Sequence, residues 1–141
     1  MKIAFGADHA AVELKQELIK LVESLSHEVK DFGTHSNDRV NYPDYAKKAS
    51  QAVLNGECDL CILVCGSGVG MSIVANKMRG IRAVVCTEPY SAKLSREHNN
   101  TNVLCIGARV VGAGLAEMIV KAWLDAEFEG GRHAERVEMF E

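Results

Sequence analysis

Cys65 stands directly before three glycines at alternate positions, Gly66, Gly68 and Gly70, with Ser67 between the first two. The residues leading to the thiol, Leu60 to Cys65, are apolar without a break. Such a run suits a strand buried on both faces of a parallel sheet. Met71 to Met78 then reads as a helix. Strand, glycine turn and helix together point backbone N–H groups and a helix N-terminus at an anion. Glycine serves there because a side chain would block close approach and because the turn visits φ > 0. A thiol beside a helix N-terminus ionises more easily than a free one. The stretch therefore combines an anion cradle with a reactive thiolate.

Other readings of the same residues are weaker. A glycine-rich turn can serve only as a tight bend. The spacing G-x-G-x-G differs from the dinucleotide fingerprint G-x-G-x-x-G, with Met71 where the third glycine belongs, although Glu88 ends the next strand where a ribose-binding acid would sit. No Gly-Lys-Ser/Thr follows, which argues against a phosphate-loop NTPase. Cys58 and Cys61 form a CxxC without a second pair at zinc spacing, and they lie at a strand start rather than a helix start. Cys86 and Cys105 read as buried core thiols.

The elements that must position these groups alternate in type. Lys2 to Gly6 is a first strand, and a helix follows from Ala10 to Leu25, with Leu14, Leu18, Leu21, Val22 and Leu25 at helical spacing. Glu28 to Phe32 is a second strand, and Thr34 to Asn41 a polar loop. Pro43 opens a helix that runs to Leu54 and closes at Asn55-Gly56. After the central strand and turn come a strand from Ile81 to Cys86 and a helix from Pro89 to His98. A strand from Val103 to Gly107 follows, then an apolar helix from Gly112 to Glu127 carrying Trp123. Gly130-Gly131 breaks that helix and a charged tail, Arg132 to Glu141, ends the chain. Alternation of this kind predicts βαβ crossovers: a doubly wound, Rossmann-like α/β/α domain of three layers on a five-stranded parallel sheet, residues 1–141. Strand order does not follow from the pattern.

In such a sheet, ligands bind beyond the carboxyl ends of the strands. Asp8 and His9 follow the first strand, Cys65 and Ser67 the third, Thr87 and Glu88 the fourth, and Arg109 the fifth. One edge thus collects an acid, a histidine, a thiol, a hydroxyl, a glycine cradle and a cation. Each has a plainer role open to it. Asp8 could cap the first helix, Cys65 could be a small buried hydrophobe, and His98 could answer a helix dipole. Arg109 could pair with a surface carboxylate. Arg132 and Arg136, four apart, share a face if the tail is helical.

Composition narrows the partners. At 141 residues the chain is long enough to bury a core. A net charge of −3 gives no general attraction for nucleic acid or an anionic membrane. No apolar run is long enough to span a bilayer, and the N-terminus goes straight into a strand pattern without a signal peptide. Five cysteines in mostly apolar surroundings suggest free thiols in a reducing cytoplasm.

Five segments carry a resemblance: IAFGADHA at 3–10, CGSGVGMSIVANK at 65–77, GIRAVVCTEPYSAKLSREHNNTNVL at 80–104, GARVVG at 107–112 and EGGRHAERV at 129–137. On these the chain resembles the type B ribose-5-phosphate isomerases, a family that also holds galactose-6-phosphate and allose-6-phosphate isomerases. The resemblance implies interconversion of an aldose phosphate and a ketose phosphate through an enediolate, without metal or nicotinamide. It implies Cys65 as the base between C1 and C2. Ser67 and the backbone of Gly66, Gly68, Val69 and Gly70 hold the enediolate oxygen. His98 is the acid that helps open the furanose ring, assisted by Asp8. His9, Arg109, Arg132 and Arg136 bind phosphate, Asn99 contacts the sugar, and Tyr42 matches a pocket position. One branch of the family uses an acid just after the glycine turn as the base; Met71 stands there, which favours Cys65. Members are dimers or tetramers whose sites draw on two subunits, so the tail 132–141 is expected in a site.

The residues agree with these roles. Proton abstraction beside a carbonyl needs a base poised near neutral pH, the developing oxyanion needs preorganised donors, and arginine's fork matches phosphate oxygens. Two alternatives stay open. One is a six-carbon sugar phosphate as substrate, since the loop Thr34 to Asn41 and Tyr42 would line the pocket that reads chain length. The other is a non-catalytic nucleotide or sugar-phosphate binding module. The apolar helix around Trp123 is the expected subunit interface.

Overall fold

The computed structural model describes residues 1–141. The elements in chain order are β1 (Lys2–Ala7), α1 (Val12–Ser24), β2 (Glu28–Asp31), α2 (Tyr42–Leu54), β3 (Leu60–Cys65) and α3 (Val69–Asn76). Then come β4 (Ala83–Val85), α4 (Pro89–Asn99), β5 (Val103–Gly107), α5 (Ala113–Asp125) and α6 (Arg132–Glu138). All strand pairings are parallel, in the order β2-β1-β3-β5-β4. The α/β architecture read from the alternation is the one observed.

Strand side chains alternate between two cores, as the pleat demands. Ile3, Phe5, Ile62, Val64, Leu104 and Ile106 face α1 and α5. Ala4, Cys61, Leu63, Cys65, Val103 and Cys105 face α2 and α3. The second face is built from smaller residues, which lets α2 approach on Ala46, Ala49 and Ala52. Four thiols, Cys58, Cys61, Cys65 and Cys105, belong to it, and all five cysteines are free.

Chain direction changes twice across the sheet. From β1 the chain moves outward to β2 and returns to β3 on the other side of β1. That reversal opens a crevice beyond the carboxyl ends of β1 and β3. Later β5 inserts between β3 and β4, so residues after β5 stand beside Cys65. The Ala108 N–H donates to the Cys65 carbonyl at 2.8 Å and the Arg109 N–H to the Gly66 carbonyl at 3.0 Å.

Several local readings differ from the structure. α3 begins at Val69, two residues before Met71, because the left-handed Gly68 (φ 83°) already turns the chain into the helix. β4 is only three residues long, since Arg82 leaves the ladder to bond Asn102 and Asn100. The charged tail folds as α6, holding His133 and Val137 against the body. Trp123 is wholly buried and donates to the Thr101 hydroxyl at 2.9 Å, so the indole itself belongs to the core, while Leu115 and Met118 of the same helix are exposed. Lys15 of α1 is also fully buried. Its ammonium donates to both oxygens of Asp31 at 2.7 and 2.8 Å and to the Thr34 carbonyl at 2.7 Å. No helix is long and apolar enough to cross a membrane.

Candidate active site

A cleft of about 470 Å³ lies beyond the β1–β3 crevice, lined by Asp8, Tyr42, Cys65, Ser67 and Arg109 with Gly66, Gly70 and Val110. Cys65 ends β3 and is 5% exposed. Its sulfur accepts the Gly68 N–H at 3.1 Å. Gly68 is the N-cap of α3 and has no side chain to close it. The Gly70 N–H, in the first turn of α3, has no partner within the chain and is left for a ligand. The Ser67 hydroxyl accepts the Val69 N–H at 3.2 Å, which fixes it at the turn.

The remaining cleft residues come from three further segments. Asp8, just past β1, accepts the Ala10 N–H on Oδ1 at 2.9 Å. This bond orders the turn into α1 and does not cap the helix, whose N-cap is Ala11. Tyr42 opens α2, and its ring lies close against Gly70. A Cβ on Gly70 would sit 2.7 Å from the ring's Cε1 atom. Arg109 reaches over Gly66, where an added Cβ would lie 3.5 Å from a terminal guanidinium nitrogen. His9 follows Asp8, and its Nδ1 accepts the Val40 N–H at 3.3 Å, tying it to the loop before Tyr42. Val69 is half exposed on the outer side of α3.

The other four candidates lie elsewhere in the chain. His98 and Asn99 end α4, which runs antiparallel to the strands and delivers them to the opposite edge of the sheet. Asn99 lines a separate hollow with Ile81 and Arg82, at the amino side of β4. Arg132 and Arg136 sit on α6 at the same edge, where Arg82 pairs with Glu141. His98 stacks on His133, ring centroids 4.2 Å apart and planes within 6°. Both rings turn Nε2 toward Glu129 Oε1, at 3.6 and 3.4 Å. Within one chain, then, the thiol and His98 lie at opposite edges of the sheet.

Location separates Cys65 from its fellows. Burial pushes the Cys61 and Cys105 thiols well up, and burial with the nearby Glu88 raises Cys86 to about 11. Burial, then Glu57, raises Cys58. The CxxC pair is therefore two protonated core thiols. Cys65 alone of the five opens on the cleft. Glu88 accepts the Ser91 N–H on both oxygens, 3.1 and 3.0 Å, and those bonds lower its pKa. It is the N-cap of α4, which removes the acid that a dinucleotide reading required.

Comparison with known proteins decides among the site's readings. The family model described as Ribose/Galactose Isomerase matches residues 3–140. The chain belongs to the ribose/galactose isomerase family. It is 59% identical over 137 residues to a protein named ribose-5-phosphate isomerase B from Escherichia coli, covering 97% of this chain and 92% of that one. It is 45% identical to a D-erythrulose-4-phosphate isomerase of Pectobacterium atrosepticum, with 98% and 91% covered. A solved structure of a Clostridium thermocellum ribose-5-phosphate isomerase B superposes with a TM-score of 0.97 at 54% identity, over 99% of this chain and 94% of that one.

The structure sets three further residues against those named from the sequence. Gly107 ends β5 under the glycine turn. A Cβ there would lie 2.6 Å from the Ser67 carbonyl carbon and oxygen. A strand-final glycine facing a glycine turn was the available signal. Glu129 and His133, both inside the quoted segment 129–137, are the groups that face His98.

Proposed function

We propose that this isomerase interconverts D-ribose 5-phosphate and D-ribulose 5-phosphate through an enediolate. The observation that carries the reading is the Cys65 sulfur, set in the cleft within 3.1 Å of a turn N–H and beside an uncapped helix. In the open-chain aldose the Cys65 thiolate takes the proton from C2. The electron pair forms the C1–C2 double bond, and the C1 carbonyl oxygen becomes the enediolate oxygen. Ser67 and the N–H groups of Gly66 to Gly70 hold that oxygen; such a donor is worth about 10²–10³ in rate. The thiol then returns the proton to C1 while a proton passes from O2 to O1, leaving the ketose. His98 gives a proton to the ring oxygen as the furanose opens, with Asp8 assisting. Arg109, Arg132, Arg136 and His9 bind the phosphate, Asn99 contacts the sugar, and Tyr42 walls the pocket.

The reading needs two copies of the chain. His98, Asn99, Arg132 and Arg136 lie at the edge opposite their own Cys65, so they serve the cleft of a second subunit. Two-fold pairing would make two such shared sites at once, in a dimer or in each half of a tetramer. Val69 and Ile73, 49% and 55% exposed on α3 beside the cleft, support an apolar contact there. The chain acts as one domain, 1–141, whose segment 132–141 completes the partner's site. Five free thiols favour a reducing cytoplasm.

The test is direct conversion of ribose 5-phosphate by purified protein with a chelator present, beside allose 6-phosphate, galactose 6-phosphate and D-erythrulose 4-phosphate. Turnover of the pentose above the others is the expected result. Preference for a four- or six-carbon phosphate would keep the mechanism and replace the substrate. No turnover of any would overturn the reading.

A further inference from the structure

We infer that His98, Glu129 and His133 form a binding site for a divalent transition metal of the zinc class, and that its occupation inhibits the enzyme. One donor atom from each residue lies within 4.8 Å of the other two. Each Nε2 stands 3.6 or 3.4 Å from the same carboxylate oxygen, Glu129 Oε1. Zinc binds nitrogen at about 2.0–2.1 Å and carboxylate oxygen at about 2.0–2.2 Å in a tetrahedron, which sets neighbouring donors about 3.4 Å apart. The two nitrogen–oxygen separations match that spacing, and the stacked rings complete the set once one imidazole turns out of the stack.

The three donors come from separate backbone positions that the fold holds together. The Glu129 N–H donates to the Glu97 carbonyl at 3.0 Å, pinning the loop before α6 to the last turn of α4. The His133 N–H donates to the Gly130 carbonyl at 3.0 Å, fixing the start of α6. The His133 side chain is 10% exposed and set, whereas His98 is 38% exposed and has room to turn its lone pair from the stack toward the metal. Three protein ligands leave a fourth position for water, the pattern of an open site. Two neutral imidazoles and a carboxylate suit zinc, cobalt or nickel and are poor ligands for magnesium or calcium.

The inhibitory effect rests on the proposed role of His98. An imidazole whose Nε2 lone pair is held by a metal cannot donate a proton to a ring oxygen. Binding itself does not rest on that role, so the two parts are tested separately.

The first measurement is titration of the native oligomer with Co²⁺, read by its visible ligand-field absorption, with Zn²⁺ then added in competition. Expected are a tetrahedral or five-coordinate spectrum without a near-ultraviolet thiolate-to-cobalt band, and displacement by Zn²⁺. Glu129→Gln, at an exposed position, and His133→Ala should each weaken binding by more than about tenfold, since even an outer-shell partner contributes that much. A thiolate band, or affinity unchanged in both variants, would overturn the site. The second measurement is turnover with Zn²⁺ present. Loss of activity restored by chelator, and blunted in Glu129→Gln, is expected. Metal bound at these residues with full turnover would uphold the site and overturn the inhibition, and with it the role given to His98.

Discussion

Replacing Gly107 by alanine should disable the site through backbone displacement, with the fold retained. An added Cβ would stand 2.6 Å from both the carbonyl carbon and oxygen of Ser67 and 2.8 Å from its Cα. Ordinary contact begins near 3.4 Å, so the Ser67 peptide must retreat by about 0.8 Å, the difference between those two distances. All three atoms are backbone, so no rotamer change relieves the clash. Overpacking of this kind costs about 1–3 kcal/mol, against a total stability of about 5–15 kcal/mol for a domain. Most molecules therefore stay folded. Catalysis is less tolerant, because a misplacement near 1 Å costs on the order of 10²-fold, and Ser67 and its neighbours hold the enediolate oxygen in the proposed mechanism. The expected result is a fall in kcat/KM of roughly 10²-fold with a Tm lowered by several degrees. Gly114→Ala, where nothing lies within 4 Å of the new Cβ, is the control. It should leave activity alone and stabilise α5 by up to about 1 kcal/mol. Wild-type kcat/KM and Tm in Gly107→Ala, or a structure of that variant with Ser67 unmoved, would refute the reasoning.

Cys65→Ala should keep its Tm within a few degrees while turnover drops by orders of magnitude, about 10²–10⁴ for loss of a positioned base; steady-state kinetics beside thermal melting check this. Lys15→Met should destabilise by roughly 3 kcal/mol in urea unfolding, because it removes the ammonium from Asp31 and the Thr34 carbonyl and leaves the carboxylate only the Gly33 N–H and the Gln16 amide as donors. That figure sits at the low end since the Asp31 side chain keeps 21% exposure. Unfolding should also show an alkaline dependence from Cys86, whose folded value is raised from 9.0 to about 11. Below pH 9 both states hold the proton and its stability is intact; between 9 and 11 the unfolded thiol ionises first and stability falls. Cys86→Ala should make that decline shallower by up to about 1.4 kcal/mol per pH unit, and an unchanged slope would contradict the burial.

Much of this was written in the order of residues, but not all. The parallel sheet follows from the alternation of short apolar runs with helical spacing, and the cleft from the rule that ligands sit beyond strand ends. Asp8, Cys65, Ser67 and Arg109 could be placed at one edge by counting. Strand order could not be, because hydrophobic runs say which strands are buried and nothing about which are neighbours. The placing of β5 between β3 and β4, which brings Arg109 to Gly66, is therefore a property of tertiary pairing. Lys15 escaped notice because a lysine on a helix is ordinarily solvated, and its partners Asp31 and Thr34 are distant in sequence. α6 was missed as a helix because Arg132 to Glu138 offers only His133 and Val137 as buried anchors, too few for a visible period. The separation of His98 from Cys65 follows from helix direction: a crossover helix returns its last residues to the edge where the strands begin.

Placing Cys65 and Arg136 at opposite edges of one sheet also has a genetic consequence. In a two-fold dimer of the proposed kind, a subunit lacking the thiol still lends intact arginines to its neighbour, and a subunit lacking Arg136 still offers an intact thiol. Mixing Cys65→Ala with Arg136→Ala chains would give heterodimers with one doubly damaged site and one wholly native site. Two inactive alleles would then complement each other in one cell, recovering about half a wild-type dimer's activity for each heterodimer formed by the two-fold pairing. Cys65→Ala paired with Ser67→Ala, both on the same edge, would recover none.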